Sequence, residues 1–424
     1  MAFDVRQIKP EYTIPAIKPA WVWYVVLFLL IVGGGAALAI YLWPKGEPTQ
    51  TDWFWTRVVV FPVMAWLALV LLDLGVQQNA QDKARDRNRA RQQKLATTCA
   101  EGGRSLPVLA SAFVFSCQPE ENTAAAVVGR TLRLVPRQRV PEDRAEIKAR
   151  WLEHPERVYP GRDAEADIAR QKDLLSWVFA HLIQPVAGAV EQLPAHIPLH
   201  ITLATSPVFE TAWVEAEWQK AWQAQGLRDT AKPVIEPKPP ELAEVDLWLD
   251  GKGQLATDGA TLLCVVQLNA LLDAAPAEGS AEAGVAVLLL PFAMAQTHQV
   301  VPMAYLHRPE TPSEADLSHG LYQTLLWGHA KGADIASQWL TGGAQSPLQR
   351  ALVSSFEDQK VEIMNTPELA GQHDIDQAVG QSGIASQWLA VALAADHAGS
   401  TTRKQLLSLS TPDHMTLAIV APHA

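Results

Sequence analysis

The 424-residue chain carries 45 acidic against 34 basic side chains, a formal net charge of −11. That balance excludes a general nucleic-acid binder, which needs a basic face against phosphate. The three cysteines, Cys99, Cys117 and Cys264, are an odd set without CxxC spacing, which excludes a disulfide framework and a cysteine-based zinc site and suits a reducing compartment.

Residues 1–20 read as a tail. Residues 21–43, "WVWYVVLFLLIVGGGAALAIYLW", hold no charge and are long enough to cross a hydrocarbon core of about 30 Å. Trp21, Trp23, Tyr41 and Trp43 stand at the two ends, as interfacial aromatics do. The stretch is too long for a signal peptide, lies too far from Met1, and lacks a small-residue cleavage site after it. After a short loop, 44–52, a second span is predicted over 53–75, with Arg57 and Asp73 near its ends and a tolerable Pro62. The two spans read as a hairpin. Residues 76–105 begin with the basic run Lys83, Arg85, Arg87, Arg89, Arg91 and Lys94. The tail adds Arg6, Lys9 and Lys18, whereas the loop between the spans has only Lys45. The positive-inside rule then puts both ends in the cytoplasm of a two-pass inner-membrane protein, with the loop periplasmic. The basic run is read as a topology signal next to membrane lipid rather than a nucleic-acid site.

From Leu106 onward, short apolar runs alternate with helical patterns. Strands are predicted at 106–117 and 198–206, and helices at 164–193, broken at Pro185, and at 209–226, closed by Gly226. A Pro-rich connection, 231–244, precedes predicted strands at 245–250, 261–269 and 283–292. The second half repeats the rhythm. Strands are expected at 298–309, 404–410 and 415–422, helices at 313–332 and 347–359, and a strand or loop at 335–343. The Gly-rich turn of "GQSGIASQWLAVALAADH" (380–397) opens a further Ala-rich helix. Alternating strands and helices indicate an α/β fold, divided here into a first half, 106–297, and a second, 298–424.

Few residues suggest chemistry. His196 and His200 flank Pro198 in an extended segment, and His319 and His329 do not share adjacent helical turns, so neither pair reads as a metal site. "GKGQLA" (251–256), with Asp273 downstream, approximates a dinucleotide loop, but another strand follows where a long helix is required, so it reads as a turn. "GQSGI" lacks the final glycine of a nucleophile elbow. Cys264 lies in an apolar strand with no basic neighbour to stabilise a thiolate. No catalytic, cofactor-binding or metal residue is assigned.

Two resemblances emerge. "GSAEAGVAVLLLP" (279–291) resembles the Glu-Gly-Ala strand of β-ketoacyl synthases, and 380–398 followed by "QLLSLSTPDHMTLAIVAP" resembles the closing helix and strands of their thiolase-like fold. This implies a layered α/β domain with two pseudo-repeated halves. The enzymes use a cysteine at a helix N-terminus and two polarising residues, usually histidines. Here "GKGQLATDG" (251–259), at the expected nucleophile turn, offers no cysteine, and Gly380-Gln381-Ser382-Gly383 stands where the enzymes keep Gly-His-Thr-Gly. The resemblance thus implies the shell of a site without its chemistry. The two-span anchor, basic juxtamembrane helix and α/β domain together also resemble the type VI secretion lipase adaptor family. That resemblance implies a non-catalytic adaptor or chaperone that loads a phospholipase effector onto the VgrG spike. The alternatives are a membrane-tethered acyl-transfer enzyme with an unconventional site and a structural component of a membrane complex.

Overall fold

The computed structural model describes all residues except 1–3, 5, 7, 19, 140–144, 230–231, 254–257, 344–345, 366–368, 412–413 and 424. These fall into two compact units, divided between Thr98 and Cys99.

In the N-terminal unit, α1 (Trp21–Phe28) and α2 (Gly34–Tyr41) continue through a π-helical turn, Leu29–Gly33, as one apolar helix. A second π turn, Thr56–Val60, joins α3 (Asp52–Trp55) to α4 (Phe61–Gly102). Thr51 starts this second helix by accepting a hydrogen bond from the Phe54 amide. It does not stop at Gly75, because the Gln, Ala, Arg and Lys residues beyond are strong helix formers. The two helices meet closely: a Cβ on Gly35 would lie 2.9 Å from Pro62. The Tyr24 hydroxyl donates to Asp73 (2.6 Å), and the Trp66 indole donates to the Tyr24 carbonyl (2.9 Å). The tail is held to α4 by Asn88, whose side-chain amide exchanges two 2.9 Å hydrogen bonds with the Tyr12 backbone.

The unit from Cys99 onward is mixed α/β. Its first half runs β1 (Ser105–Val114), α5 (Ala124–Val128), an insertion of β2 (Pro136–Gln138) and β3 (Glu146–Lys148), and α6 (Ala164–Gln192). Then come β4 (Leu199–Ser206), α7 (Thr211–Ala224), β5 (Val234–Glu236), α8 (Val245–Leu249), β6 (Ala260–Gln267) and β7 (Ala283–Leu289). After α9 (Phe292–His298), the second half runs β8 (Ala304–His307), α10 (Leu317–Trp327), β9 (Ile335–Thr341), α11 (Pro347–Gln359) and β10 (Gln372–Asp374). It closes with α12 (Ile375–Ala378), α13 (Ser386–Thr401), β11 (Lys404–Ser410) and β12 (Met415–Pro422).

Apart from the separate antiparallel pair β2-β3, the described strands form one ten-stranded sheet made of two matching sets, β5-β4-β6-β7-β1 and β10-β9-β11-β12-β8. In each set the first three strands are parallel and the last two pairings antiparallel. The sets join where β1 pairs antiparallel with β8. The repeat expected from the thiolase-like resemblance is therefore present strand for strand, with α13 in the place that α8 holds in the first half.

Burial follows the two-residue period of the strands. Leu263 and Val265 of β6, Val285 and Val287 of β7, and Ala418 and Val420 of β12 face one core around α13. The alternate residues Leu262, Cys264 and Val266 face α6 and α7, and Leu417 and Ile419 face α10 and α11. Helix α13 is apolar nearly all round, as a helix enclosed between layers must be.

Several expectations are corrected. The expected strand at 245–250 is instead α8 (Val245–Leu249) capped by Asp250; Val245 and Trp248, three apart, share the buried side of one helical turn. Residues 298–309 contain the end of α9 and only a four-residue strand. The Pro-rich connection holds β5, and 335–343 is the regular strand β9. Helix α6 runs unbroken through Pro185, because Pro185 and His181 lie on its exposed side, where water can take the carbonyl bond that proline leaves open. Among the described residues, three helices are long and apolar enough to cross a membrane, α6 among them. The apolar residues of α6, including Leu174, Val178, Phe179 and Leu182, lie in the α/β core.

Candidate functional site

The Gly-rich turn before α13 is strapped to the first half of the fold. Gln381 N–H donates to the Gly279 carbonyl (2.8 Å), and Ala281 N–H donates to the Gln381 carbonyl (2.9 Å). Gly380 has φ +112°, and a Cβ there would come within 2.8 Å of Ala281. Gly383 has φ +50°, and a Cβ there would collide with the Gln267 side chain. Glycine is required at both for conformation and for space. Gln267, at the end of β6, accepts a hydrogen bond from the Ile384 amide (3.2 Å) and so occupies one free donor next to the start of α13.

A cleft of about 930 Å³ opens at this turn. Gln381, Gly383, Ser386 and Gln387 line it from the turn and the start of α13. Thr311 and Ser313 after β8, the start of α11 at Ser346, and Thr411 and His414 between β11 and β12 complete it. Its walls carry hydroxyls and amides, with Glu314 and Asp376 as carboxylates. Asp376 accepts from the Gly342 amide (2.8 Å), and burial pushes its carboxyl up to about 6 against that hydrogen bond. The Thr411 hydroxyl, 3.1 Å from His414 Nδ1, also bonds the His414 backbone N–H and carbonyl, which closes a local turn.

Of the two residues between the glycines of this turn, Gln381 lines the cleft. Ser382 is buried, its hydroxyl without a hydrogen-bond partner. No cysteine is among the lining residues. Cys264 faces the α6 side of β6, and burial pushes its thiol far up. Cys117 donates to the Glu153 carbonyl (2.8 Å), and burial raises its pKa as well. Cys99 lies near the C-terminal end of α4, its thiol likewise raised by burial. None sits at a helix N-terminus or hydrogen-bonds a histidine among the described residues, so none has a setting that favours thiolate.

The repeat also gives the turn before α13 a structural counterpart in the first half. The counterpart of the turn before α13 is the segment before α8, not 251–259. There the Leu242 amide donates to the Gln387 side chain (2.7 Å), and the Trp388 indole donates to the Pro240 carbonyl (2.8 Å). Trp248 stacks near Trp388, with ring centroids 5.9 Å apart. Glu241-Leu242-Ala243-Glu244 stands at that position. Sequence reasoning missed it because α8 has only five residues and reads as a strand. In the 251–259 loop, 254–257 lie outside the described residues, and Gly251 and Gly253 turn at positive φ after a helix, not after the strand that a dinucleotide loop needs.

The histidine pairs disperse. His196 bonds His298 (3.2 Å), and His200 faces Asp258 (3.3 Å). His319 lies beside Tyr322, and His329 edges onto His307. Glu282, in the Glu-Gly-Ala stretch, is fully buried and accepts from Arg170, the Leu152 amide and the Asn269 amide. It is a structural anchor. Gly284 beside it lets α6 approach β7, since a Cβ would meet Val178 at 2.5 Å.

No family model and no curated protein matches the sequence. Among solved structures, the chain is similar to a ketosynthase from module 6 of the bacillaene synthase of Bacillus subtilis 168, with TM-score 0.49 and 10% identity over 76% of this chain and 72% of that one. It is also similar to an oxazolomycin ketosynthase domain from Streptomyces albus JA3453, with TM-score 0.48 and 12% identity over 75% of this chain and 95% of that one. The ishigamide ketosynthase/chain length factor gives TM-score 0.45 and 14% identity over 76% of this chain and 100% of that one. At these identities the likeness is one of fold.

Proposed function

We propose that this chain is a membrane-anchored, non-catalytic adaptor whose thiolase-like domain holds a protein partner. One observation carries the proposal: the cleft at the start of α13 is roomy and hydroxyl-rich, yet all three thiols lie elsewhere in settings that disfavour thiolate. Acyl transfer through a thioester needs an activated nucleophile. Without one, the cleft offers hydrogen-bonding groups suited to an extended polar segment. The apolar helices α1–α2 and α3–α4 would hold the domain at the inner membrane, on its cytoplasmic side, and concentrate the partner there. The resemblance to type VI lipase adaptors supports a phospholipase effector, on its way to the VgrG spike, as that partner.

The test uses the full chain in detergent. Incubation with acyl-CoA and acyl-carrier-protein thioesters is expected to give no turnover above buffer, with Cys→Ala variants of all three cysteines unchanged. Affinity capture from the native host, coupled to mass spectrometry, is expected to return an effector lipase whose recovery drops when Ser386 and Gln387 are replaced by bulky residues. Cysteine-dependent thioester loss would overturn the proposal in favour of a membrane-tethered acyl-transfer enzyme.

A further inference from the structure

A second cleft, of about 500 Å³, lies between the insertion that carries β2 and β3 and the edge strand β10. It shares no lining residue with the cleft at α13. Arg130, Arg133 and Lys148 line it from the first half, and Gln372, His373 and Asp374 from β10. In a chain of net charge −11 this is a local concentration of cations. Arg137 and Arg150, in the adjoining cleft, pair with Glu153 (3.4 Å) and Glu121 (3.3 Å). Among the described residues, no carboxylate pairs with Arg130, Arg133 or Lys148, although Arg130 also donates a long hydrogen bond to the Leu369 carbonyl (3.5 Å). Asp374, the acidic residue of the lining, is engaged in capping α12 through the Gln377 amide (2.9 Å).

His373 is the second observation. It is 4% exposed, lies against Trp339 (ring centroids 4.8 Å apart), and neither of its ring nitrogens has a hydrogen-bond partner. Buried polar atoms are normally satisfied, and an unsatisfied pair on a cleft wall marks the place where a ligand supplies the missing bonds. Burial pushes the imidazole down to about 4, so at neutral pH it presents one N–H donor and one lone pair. A phosphate monoester, with its second ionisation near pH 6, offers several acceptor oxygens, one of which can take that N–H. Its charge of between one and two also matches three cations beside one carboxylate.

We propose that this cleft binds a phosphate monoester, with Arg130, Arg133 and Lys148 supplying charge and His373 bonding one oxygen from the cleft wall. The proposal is independent of the adaptor reading. The same chemistry could come from a soluble metabolite or from a lipid headgroup, and the test separates these sources.

The full chain, purified in detergent and phosphate-free buffer, is dialysed to equilibrium against glycerol 3-phosphate, dihexanoyl phosphatidic acid, or glycerol. Saturable binding of the first two and none of glycerol is expected. Equal affinities would identify a soluble ester as the source, and tighter lipid binding would identify a headgroup. Arg133→Gln with Lys148→Gln, both exposed and safe for folding, is expected to weaken binding about tenfold or more. His373→Gln, which keeps a donor and an acceptor, should retain more affinity than His373→Phe, with melting temperatures recorded alongside. Absence of saturable binding to either phosphate compound, or unchanged binding in the double charge variant, would overturn the proposal.

Discussion

Asp376 shows how a single carboxylate reports on the cleft. Burial raises its pKa from 3.8 to about 6, and the Gly342 amide only partly offsets this. Between those values the folded state holds more proton than the unfolded one, so this group's contribution to stability falls as pH rises from about 4 to about 6. Above pH 6 the full penalty applies. Two units correspond to about 3 kcal/mol, and partial exposure reduces this to about 1–2 kcal/mol. Asp376→Asn keeps an oxygen for the Gly342 amide and removes the charge. The variant is expected to melt above the parent at pH 7.5 and with it near pH 4. An offset that is the same at both pH values would refute the assignment. The identity of the cleft's other residues was only partly readable. The glycines at 380 and 383 signal a turn in any context, whereas Thr311, Ser346 and His414 come from three distant segments with no local pattern of their own.

At the level of elements, the junction of α6 with β7 is held by charge inside the core. Arg170 and Glu282 meet at 2.7 Å with side chains 4% and 0% exposed, and Asp167 lies 3.2 Å from Arg170. Glu282 also takes the Leu152 and Asn269 amides, so it ties the segment before α6 and the loop after β6 to one carboxylate. Replacing one partner of a buried pair strands the other. Glu282→Ala is therefore expected to cost about 3–5 kcal/mol, read as a large drop in the melting temperature of the full chain. A fall of under about 2 °C would show that water or relaxation satisfies Arg170 instead. The two-residue and 3.6-residue periods located β1, β4, α7, α11, β11 and β12 in advance. They failed at α8, where five residues make too little of a helix to show a period and Trp and Leu alternation imitates a strand.

For the whole molecule, the asymmetry of basic residues around the two apolar helices gives a direct test of orientation. A periplasm-only reporter fused after Ala424 is expected to be inactive, and one inserted in the loop 44–52 to be active. The reverse result would put the large α/β unit outside the cytoplasm and remove the setting proposed for its partner. The basic run itself continues the second apolar helix without a break, so the helix extends well beyond the expected span at 53–75.

Local sequence determined what depends on composition and short period. Apolar stretches long enough for a membrane, the α/β alternation and the glycine turn at 380–383 all follow from nearest-neighbour physics: solvation along a helix, side-chain alternation along a strand, and steric freedom at positive φ. Tertiary structure alone decided that two sets of strands repeat one order across the β1–β8 junction, because pairing partners lie far apart in the chain. It alone decided that the apolar residues of α6 belong to a core, since burial depends on what comes to cover a face. And it alone brought Arg130, Arg133 and Lys148 to one cleft with His373, more than 200 positions away, a juxtaposition that no single stretch of sequence contains.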